Sequence, residues 1–231
     1  MAVIIKEKLS NKVYTLIKEM IANHRFEPGA RMNIEKLSKE FGISRTPVWE
    51  AVGRLEQEGL LENIPNRGVF MAVITPQMAL ALYEVREVLE GMAARLAATR
   101  ITEKNLAKME SYLVDQGPIV KAGDLIAYSR SDFEFHATIY EASGNPVLEE
   151  SLQSIKNKMR PLSVRVKPAL SLLYKDHEQI LQSLKNRNPE ESEKLIRIHN
   201  QRVMSLIREK MDSGFWPLDE QQQDAITKSG N

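Results

Sequence analysis

Three of the four histidines in this 231-residue sequence lie in its second half, at His136, His177 and His199. The first follows Asp132 by four residues, and on an α-helix this spacing places a carboxylate and an imidazole on one face, one turn apart. His177 and His199 each have apolar neighbours at helical spacing, so each is expected on the inward face of a helix. Three such helices would bring one carboxylate and three imidazoles to a common point, and that donor set suits a divalent metal ion.

The expected ion is Zn²⁺, with Ni²⁺ and Mn²⁺ as alternatives, and coordination positions would stay open for water or a ligand. Three other interpretations remain. The histidines taken singly are ordinary core or surface residues. A metal-activated water would make this region an enzyme. However, Asp176-His177 is the single adjacent Asp–His pair, and Glu178 would point about 100° away from His177 round the helix, which leaves no convincing general base. A purely structural ion would hold the helices together and bind no effector.

A helical scaffold is needed to position these residues, and the sequence from Thr75 to about Gly214 indicates one. Thr75 and Pro76 form a cap followed by proline at the first helical position, which is typical of a helix start. No stretch alternates with period two for long enough to indicate a sheet. We predict an all-helical bundle of about six helices over residues 75–214, followed by a polar, partly disordered tail over 215–231. Breaks are expected near 100–102, 117–118, 144–146, 168 and 188–189.

The first 74 residues have a different pattern, with glycine and proline between short periodic segments. Gly42 suits a left-handed turn between two helices, and Ser44 suits the N-cap of the second. Three helices with a tight turn between the last two, followed by a hairpin, predict a winged helix-turn-helix. The whole chain is therefore expected to be mainly α. The predicted helices cover 13–21, 34–41 and 44 to about 58, and the predicted strands cover 60–64 and 68–73.

In this fold the third helix enters the major groove of DNA and its first turn touches base edges. Arg45 can pair with guanine through two hydrogen bonds, and Ser44 and Thr46 can bond phosphate or base edges. Isolated arginines are usually solvated surface charges, so it is the surrounding architecture that favours DNA. The other expected contacts are phosphate contacts from Arg31, Lys36 and Lys39 and minor-groove contacts from Arg67 and Gly68 at the hairpin tip.

The overall composition argues against several kinds of site and protein but does not identify a function. The net charge of +1 does not by itself indicate nucleic acid. The absence of cysteine excludes disulfides and thiolate metal sites. The N-terminal residues lack the features of a signal peptide, and no apolar run is long enough for a membrane span. We expect a protein of the bacterial cytoplasm with no membrane partner.

The region from Lys12 to Ala72 resembles the GntR family of bacterial repressors. That resemblance implies a dimer on a palindromic operator, with Arg45, Thr46 and Gly68 at the DNA. Two positions depart from the family pattern: Trp49 stands where an arginine is usual, and Ile34 where a glutamate is usual. We expect Trp49 to pack inward, with contact to DNA as the open alternative. The matching residues are Pro28-Gly29, Leu37-Ser38, the run from Phe41 to Val48, Glu50-Ala51, Arg54-Leu55 and Glu58-Gly59-Leu60.

The region from Glu84 to about Arg202 is similar to the FadR-type C-terminal ligand-binding domain, FCD. The matching residues are Glu84, Arg86, Leu89 and Glu90, Asp132 and His136, the run 142–146, His177 with Ile180, and His199. The resemblance implies a metal held by the four candidate ligands and a small carboxylate effector that completes the coordination shell.

An arginine of the domain's first helix often assists the effector in this family. That role would fall to Arg86, with Arg130 and Arg160 as further candidates. Pairing of Arg86 with a glutamate of its own helix is the open alternative. The resemblance therefore identifies the chain as a transcription regulator, and repression is the commoner mode in the family. Closure of the helices around the effector would alter the spacing of the two recognition helices in a dimer.

Overall fold

The computed structural model describes residues 9–159 and 170–213, and the chain divides into two compact units between Val73 and Ile74. The described residues form nine α-helices and one three-stranded sheet, which is the mainly helical fold predicted. None of these helices is long and apolar enough to cross a membrane. The predicted tail at 215–231, the break at 168 and the effector candidate Arg160 lie outside the described residues.

The first unit is a winged helix-turn-helix with a three-stranded antiparallel sheet in the order β1-β3-β2. Strands β2 and β3 are the predicted hairpin. The two-residue strand β1 was not predicted, because so short a segment shows no alternation of polar and apolar residues. The elements of the first unit are α1 Leu9–Ala22, β1 Arg31–Met32, α2 Ile34–Phe41, α3 Arg45–Gln57, β2 Leu61–Ile64 and β3 Gly68–Met71.

Two of the positive-φ positions in this unit lie in the turns that shape the DNA-reading elements. Gly42 ends α2 at φ 66°, the left-handed conformation predicted for it. Asn66 has φ 61° in the hairpin turn, a conformation that asparagine tolerates better than most residues. Ser44 precedes α3 as its N-cap, although its hydroxyl makes no capping hydrogen bond. These turns leave the N-terminus of α3 at the surface, while its opposite side packs in a core that includes Val13, Ile17, Val48, Val52, Leu55, Leu61 and Val69.

The described part of the second unit contains six helices, as predicted. Helix ends at 100–102, 144–146 and 188–189 match the predicted breaks. Thr75 caps the first helix by accepting a hydrogen bond from the Met78 N–H, with Pro76 at the first helical position. The helices are α4 Pro76–Arg100, α5 Glu103–Ala122, α6 Leu125–Ala142, α7 Pro146–Met159, α8 Leu170–Lys185 and α9 Pro189–Asp212.

The predicted break at Gly117-Pro118 is wrong, because Pro118 lies inside α5 and the helix ends one turn later at Gly123, with φ 68°. A proline in a helix interior costs about 3 kcal/mol. Burial on both sides of the proline offsets this cost: Leu113 packs in one apolar cluster before it, and Ile119 packs against another after it. Tertiary packing therefore overrides the local preference for a break.

Helices α4 and α9 pack along each other. Small side chains on α4, including the fully buried Ala93, Ala94 and Ala97, permit a close approach. At Gly91, a Cβ atom would lie 2.7 Å from Nε of Arg197 on α9. This contact brings the buried residues of α4 next to the inner face of α9, where the third histidine of the candidate site lies.

Candidate metal centre and DNA-reading face

The four predicted metal ligands converge in the second unit. Helix α6 supplies Asp132 and His136, α8 supplies His177 and α9 supplies His199. One ligand atom from each lies within 4.8 Å of the other three. Nε2 of His177 is 3.4 Å from Oδ1 of Asp132, and Nε2 of His136 is 3.6 Å from the same oxygen. The predicted i, i+4 pair on α6 therefore meets two further helices at one point.

All three histidines are buried, and burial lowers the pKa of His136 to about 4. Burial also lowers the pKa of His177 well below its ordinary value. Burial by itself would raise the pKa of Asp132, but the charges of Lys156 and its other neighbours hold that pKa below the ordinary value. Neutral imidazoles and an ionised carboxylate are the protonation states that metal binding requires.

Each histidine also has a carboxylate or amide oxygen near Nδ1. The distances are 2.8 Å from His136 to Oε1 of Glu90 and 3.2 Å from His177 to Oε1 of Gln116. Nδ1 of His199 lies 3.5 Å from Oδ2 of Asp176 but makes no hydrogen bond with the described residues. A partner at Nδ1, as His136 and His177 have, orients the ring and directs Nε2 toward the ligand cluster, an arrangement common around protein-bound metals.

Sequence reasoning missed Gln116 and misjudged Asp176. Gln116 is fully buried on the apolar face of α5, and a polar residue at an apolar position was the available indication. Asp176 was considered with its sequence neighbour His177. It instead faces His199 and accepts hydrogen bonds from Arg202.

One orphaned atom tests whether these residues fit a metal ion. Nε2 of His177 is buried and has no hydrogen-bond partner among the described residues. A buried polar atom without a partner is costly, and a metal ion would satisfy it. Three imidazoles with one carboxylate form a donor set that Zn²⁺, Ni²⁺ and Mn²⁺ accept. The residues therefore fit a divalent ion.

The structure brings Arg86 to the cluster. Its Nε donates to Glu90 at 2.9 Å, which is the pairing within α4 that the sequence left open. Its Nη2 also lies 3.2 Å from Nδ1 and 3.4 Å from Nε2 of His136. Arg130 is not brought there: it is exposed and lies two residues before Asp132, about 200° round the helix.

Lys156 is a buried neighbour of the cluster that sequence reasoning missed. It is 5% exposed, and its ammonium donates to the backbone carbonyls of Asp132 and Phe133, at 3.0 Å each. Its Nζ is also 3.7 Å from Oδ2 of Asp132. On α7 this residue looks like an ordinary surface lysine, so the sequence carried no indication of its burial.

The predicted DNA-contacting residues all lie in the first unit. Ser44, Arg45 and Thr46 are exposed at the N-terminus of α3. Arg31, Lys36, Lys39 and Arg67 are exposed as well, and Lys39 pairs with Glu35 at 2.9 Å. Gly68 begins β3 at φ 108°, and a Cβ there would lie 3.2 Å from Nε of Arg31.

The expectation that Trp49 packs inward is wrong, because its side chain is 45% exposed. Trp49 follows the buried Val48 by one residue and so points about 100° away from it round the helix. It follows Arg45 by four residues and shares that residue's face. Ile34, the other departure, begins α2 and is buried in the core.

Comparison with known proteins agrees with both units. Residues 9–71 match the model of the bacterial regulatory proteins of the gntR family, and residues 81–202 match the FCD domain model. The chain is 31% identical over 192 residues to the Nta operon transcriptional regulator of Aminobacter aminovorans, covering 82% of this chain and 90% of that protein. It is 22% identical over 214 residues to the transcriptional repressor RspR of Escherichia coli K12, covering 91% and 94%.

Among solved structures, E. coli McbR/YncC superposes with a TM-score of 0.79 at 22% identity, covering 88% of this chain and 99% of that one. This likeness supports the fold. The matched families and named relatives are transcription regulators rather than enzymes, which rejects the metalloenzyme interpretation. The chain therefore belongs to the GntR family of bacterial transcription regulators, with an FCD domain following its winged helix-turn-helix.

Proposed function

We propose that this regulator represses transcription from a palindromic operator, and that a small carboxylate bound beside a divalent ion modulates its DNA binding. Residues 1–74 would read the DNA, and residues 75–214 would bind metal and effector and form a homodimer, in the bacterial cytoplasm. The convergence of four ligand atoms within 4.8 Å is the observation that carries the sensing half. Repression is supported by the name of RspR, a relative along most of the chain.

The DNA-reading role of α3 is supported by the exposure of its first turn. Ser44, Arg45 and Thr46 are exposed there. Arg45 would pair with guanine O6 and N7 in the major groove, and Ser44 and Thr46 would bond phosphate or base edges. The helix N-terminus itself favours a phosphate. Arg31, Lys36, Arg67 and Gly68 would contact the flanking backbone and the minor groove.

Asp132, His136, His177 and His199 would hold the ion, with Zn²⁺ expected ahead of Ni²⁺ and Mn²⁺. Once bound, the ion supplies a Lewis-acidic position at which an anion can bind. The protein's own contribution is to orient two of the imidazoles through Glu90 and Gln116, to hold Asp176 beside the third, and to bury all three.

The charges around the cluster support an anionic effector. Asp132 and Glu90 carry two negative charges, and Arg86 and Lys156 carry two positive charges, so the four cancel. A divalent ion therefore adds two positive charges that these four groups do not compensate, and uncompensated buried charge is costly. A small carboxylate would reduce that excess.

Two side chains near the cluster support a site for such a carboxylate. Arg86 borders His136 with a guanidinium that carries parallel N–H donors. The Tyr128 ring is parallel to that of His177, with 6.2 Å between centroids, and its buried hydroxyl has no partner among the described residues. Burial raises the pKa of Tyr128, so the hydroxyl remains a neutral donor. Of the two predicted effector arginines that the structure describes, Arg86 and Arg130, this geometry favours Arg86.

Coupling between effector and DNA requires that the effector bind the DNA-free and DNA-bound states with different affinities. A carboxylate that prefers the DNA-free state would weaken operator binding by the ratio of its two affinities. An effector that binds both states equally tightly would leave the affinity for the operator unchanged.

The homodimer is supported by an apolar stripe on α4. Met78, Val85, Val88 and Met92 are 54%, 52%, 54% and 45% exposed and follow one another at intervals of seven, three and four residues. This is the spacing of a coiled-coil seam. A second copy of the same helix is the partner that such a stripe fits, and a palindromic operator requires two copies.

The test uses the full-length protein, stripped with a chelator and reloaded with Zn²⁺. Elemental analysis with native mass spectrometry gives metal content, bound ligand and oligomeric state. Fluorescence anisotropy gives affinity for a duplex selected from a randomised library, with and without acetate, lactate, succinate and citrate. We expect stoichiometric metal and at least one carboxylate that raises the melting temperature and changes operator affinity.

Two variants separate the two halves of the proposal. Arg45→Ala should weaken operator binding by about 1–3 kcal/mol per half-site with metal content intact, whereas His177→Ala should lose metal and the carboxylate response. Arg208→Ala is the control, since this arginine is exposed on α9. Undiminished operator binding by Arg45→Ala would reject the assignment of α3. If the metal stabilises the protein and no carboxylate binds, the ion has a purely structural role.

A further inference from the structure

Trp49 is a large apolar side chain on the exposed face of α3. Its neighbours Val48 and Val52 are buried on the adjoining face of the helix, whereas Trp49 remains 45% exposed. Single exposed apolar residues are ordinary on protein surfaces. This one lies one turn after Arg45 on the helix that a winged helix-turn-helix inserts into the major groove, so its surroundings in the complex would be DNA.

A glycine one turn further on makes that face unusually open. Gly53 lies four residues after Trp49, in the interior of α3, where glycine is less favourable than alanine. A Cβ at Gly53 would meet no atom within 4 Å, so packing within the protein does not require glycine there. The missing side chain leaves space beside the indole, in which a DNA surface can approach the helix.

The chemistry of the groove selects the partner. Phosphates and most base edges offer charge or hydrogen bonds, which an indole face does not match. The thymine C5-methyl group is the apolar group that the major groove displays. We infer that Trp49 is a specificity-determining residue that packs against a thymine methyl in each operator half-site, a conclusion that rests on the proposed placement of α3 in the major groove.

The first experiment selects operators from a randomised duplex library with the wild-type protein, Trp49→Ala, Trp49→Phe and Leu16→Ala. We expect Trp49→Ala to lose its preference for thymine at one position of each half-site and to retain the others. Trp49→Phe should keep part of that preference. Leu16 is the control, because it is exposed to the same 45% but lies on α1.

The second experiment removes the methyl group alone. Each thymine at the selected position is replaced by deoxyuridine, which keeps every hydrogen-bonding group. The wild-type affinity should fall roughly fourfold per half-site, as expected for one buried methyl, and the affinity of Trp49→Ala should not change. Circular dichroism and sedimentation establish that the variants are folded and keep the oligomeric state of the wild type.

Three outcomes would overturn the inference: an unchanged thymine preference in Trp49→Ala, an equal effect of deoxyuridine on both proteins, or loss of the dimer in Trp49→Ala with operator preference intact. The last would assign the indole to a protein contact. If Arg45→Ala also leaves operator binding intact, the placement of α3 itself fails. If Arg45→Ala weakens operator binding as expected and the thymine preference survives in Trp49→Ala, only the role of Trp49 fails.

Discussion

Glu90 links the candidate metal centre to the rest of its domain. Its carboxylate accepts hydrogen bonds from Arg86 and Asn200 at 2.9 and 2.7 Å, and from the Tyr140 hydroxyl. It also faces Nδ1 of His136 at 2.8 Å. Burial by itself would raise the pKa of Glu90, but Arg86 and His136 hold it well below the ordinary value. One ionised group thus joins α4, α6 and α9 and sets the orientation of a ligand.

The lowered pKa values of His136 and His177 predict a pH-dependent stability in the metal-free protein. Both pKa values are lower in the folded than in the unfolded state, so the unfolded state binds more protons as the pH falls below about 6.5. The unfolding free energy of this domain should be level above that pH. It should then decrease toward pH 4 by about 1.4 kcal/mol per pH unit for each histidine.

Urea unfolding at a series of pH values, followed by circular dichroism, measures this slope. The variant His177→Gln keeps a neutral polar group and should reduce the slope by the share of one histidine. An unfolding free energy that is level from pH 7 to pH 4.5 would contradict the burial of neutral imidazoles. Zn²⁺ should raise the stability at neutral pH and lose its effect on acidification, because protons compete for the same nitrogens.

At the scale of the element, α3 has a packed face and an exposed face. A substitution at Gly53 changes the stability of the helix without disturbing the packed core, because a Cβ there meets no other atom. Gly53→Ala should raise the unfolding free energy of the first domain by about 0.5–1 kcal/mol, because alanine is the better helix former and its Cβ meets nothing within 4 Å. Thermal unfolding followed by circular dichroism measures the change.

Gly91→Ala on α4 is the matched variant. It makes the same substitution in a helix interior, but the new Cβ would lie 2.7 Å from Nε of Arg197 and push that side chain from its contact with Glu193. The gain in helix propensity should therefore be offset. A loss of stability in Gly53→Ala would mean that packing does require glycine at that position.

The elements also differ in how well the sequence predicts them. The end of α2 at Gly42 and the start of α4 at Thr75 follow from local chemistry, because one left-handed glycine and one hydroxyl cap decide each. Local chemistry failed at Pro118, where burial of α5 against α6 and α8 outweighs the proline. It failed also for Trp49, because apolar character alone does not tell which face of α3 is covered.

At the scale of the whole molecule, the apolar stripe on α4 predicts the oligomeric state. A double variant, Val85→Glu with Val88→Glu, should convert the proposed dimer to a monomer, because it would bury carboxylates in the proposed seam between two copies. Sedimentation velocity at micromolar concentration measures the change, and operator affinity should fall with loss of the second half-site contact.

Val114→Glu is the control, since Val114 is 73% exposed on α5 and lies outside the stripe. It should remain dimeric. If the double variant stays dimeric and its operator affinity is unchanged, the dimer interface lies on another surface.

The sequence alone determined the class of fold, the family and the four candidate metal ligands. These rest on spacings within single helices and on motif matches, and such local relations survive without knowledge of the tertiary structure. Only the tertiary structure decided which groups surround the ligands: Gln116 beside His177, Asp176 beside His199 rather than its sequence neighbour, and the buried Lys156. Each of these contacts joins two separate helices. The way in which helices pack on one another cannot be read from the order of residues along the chain.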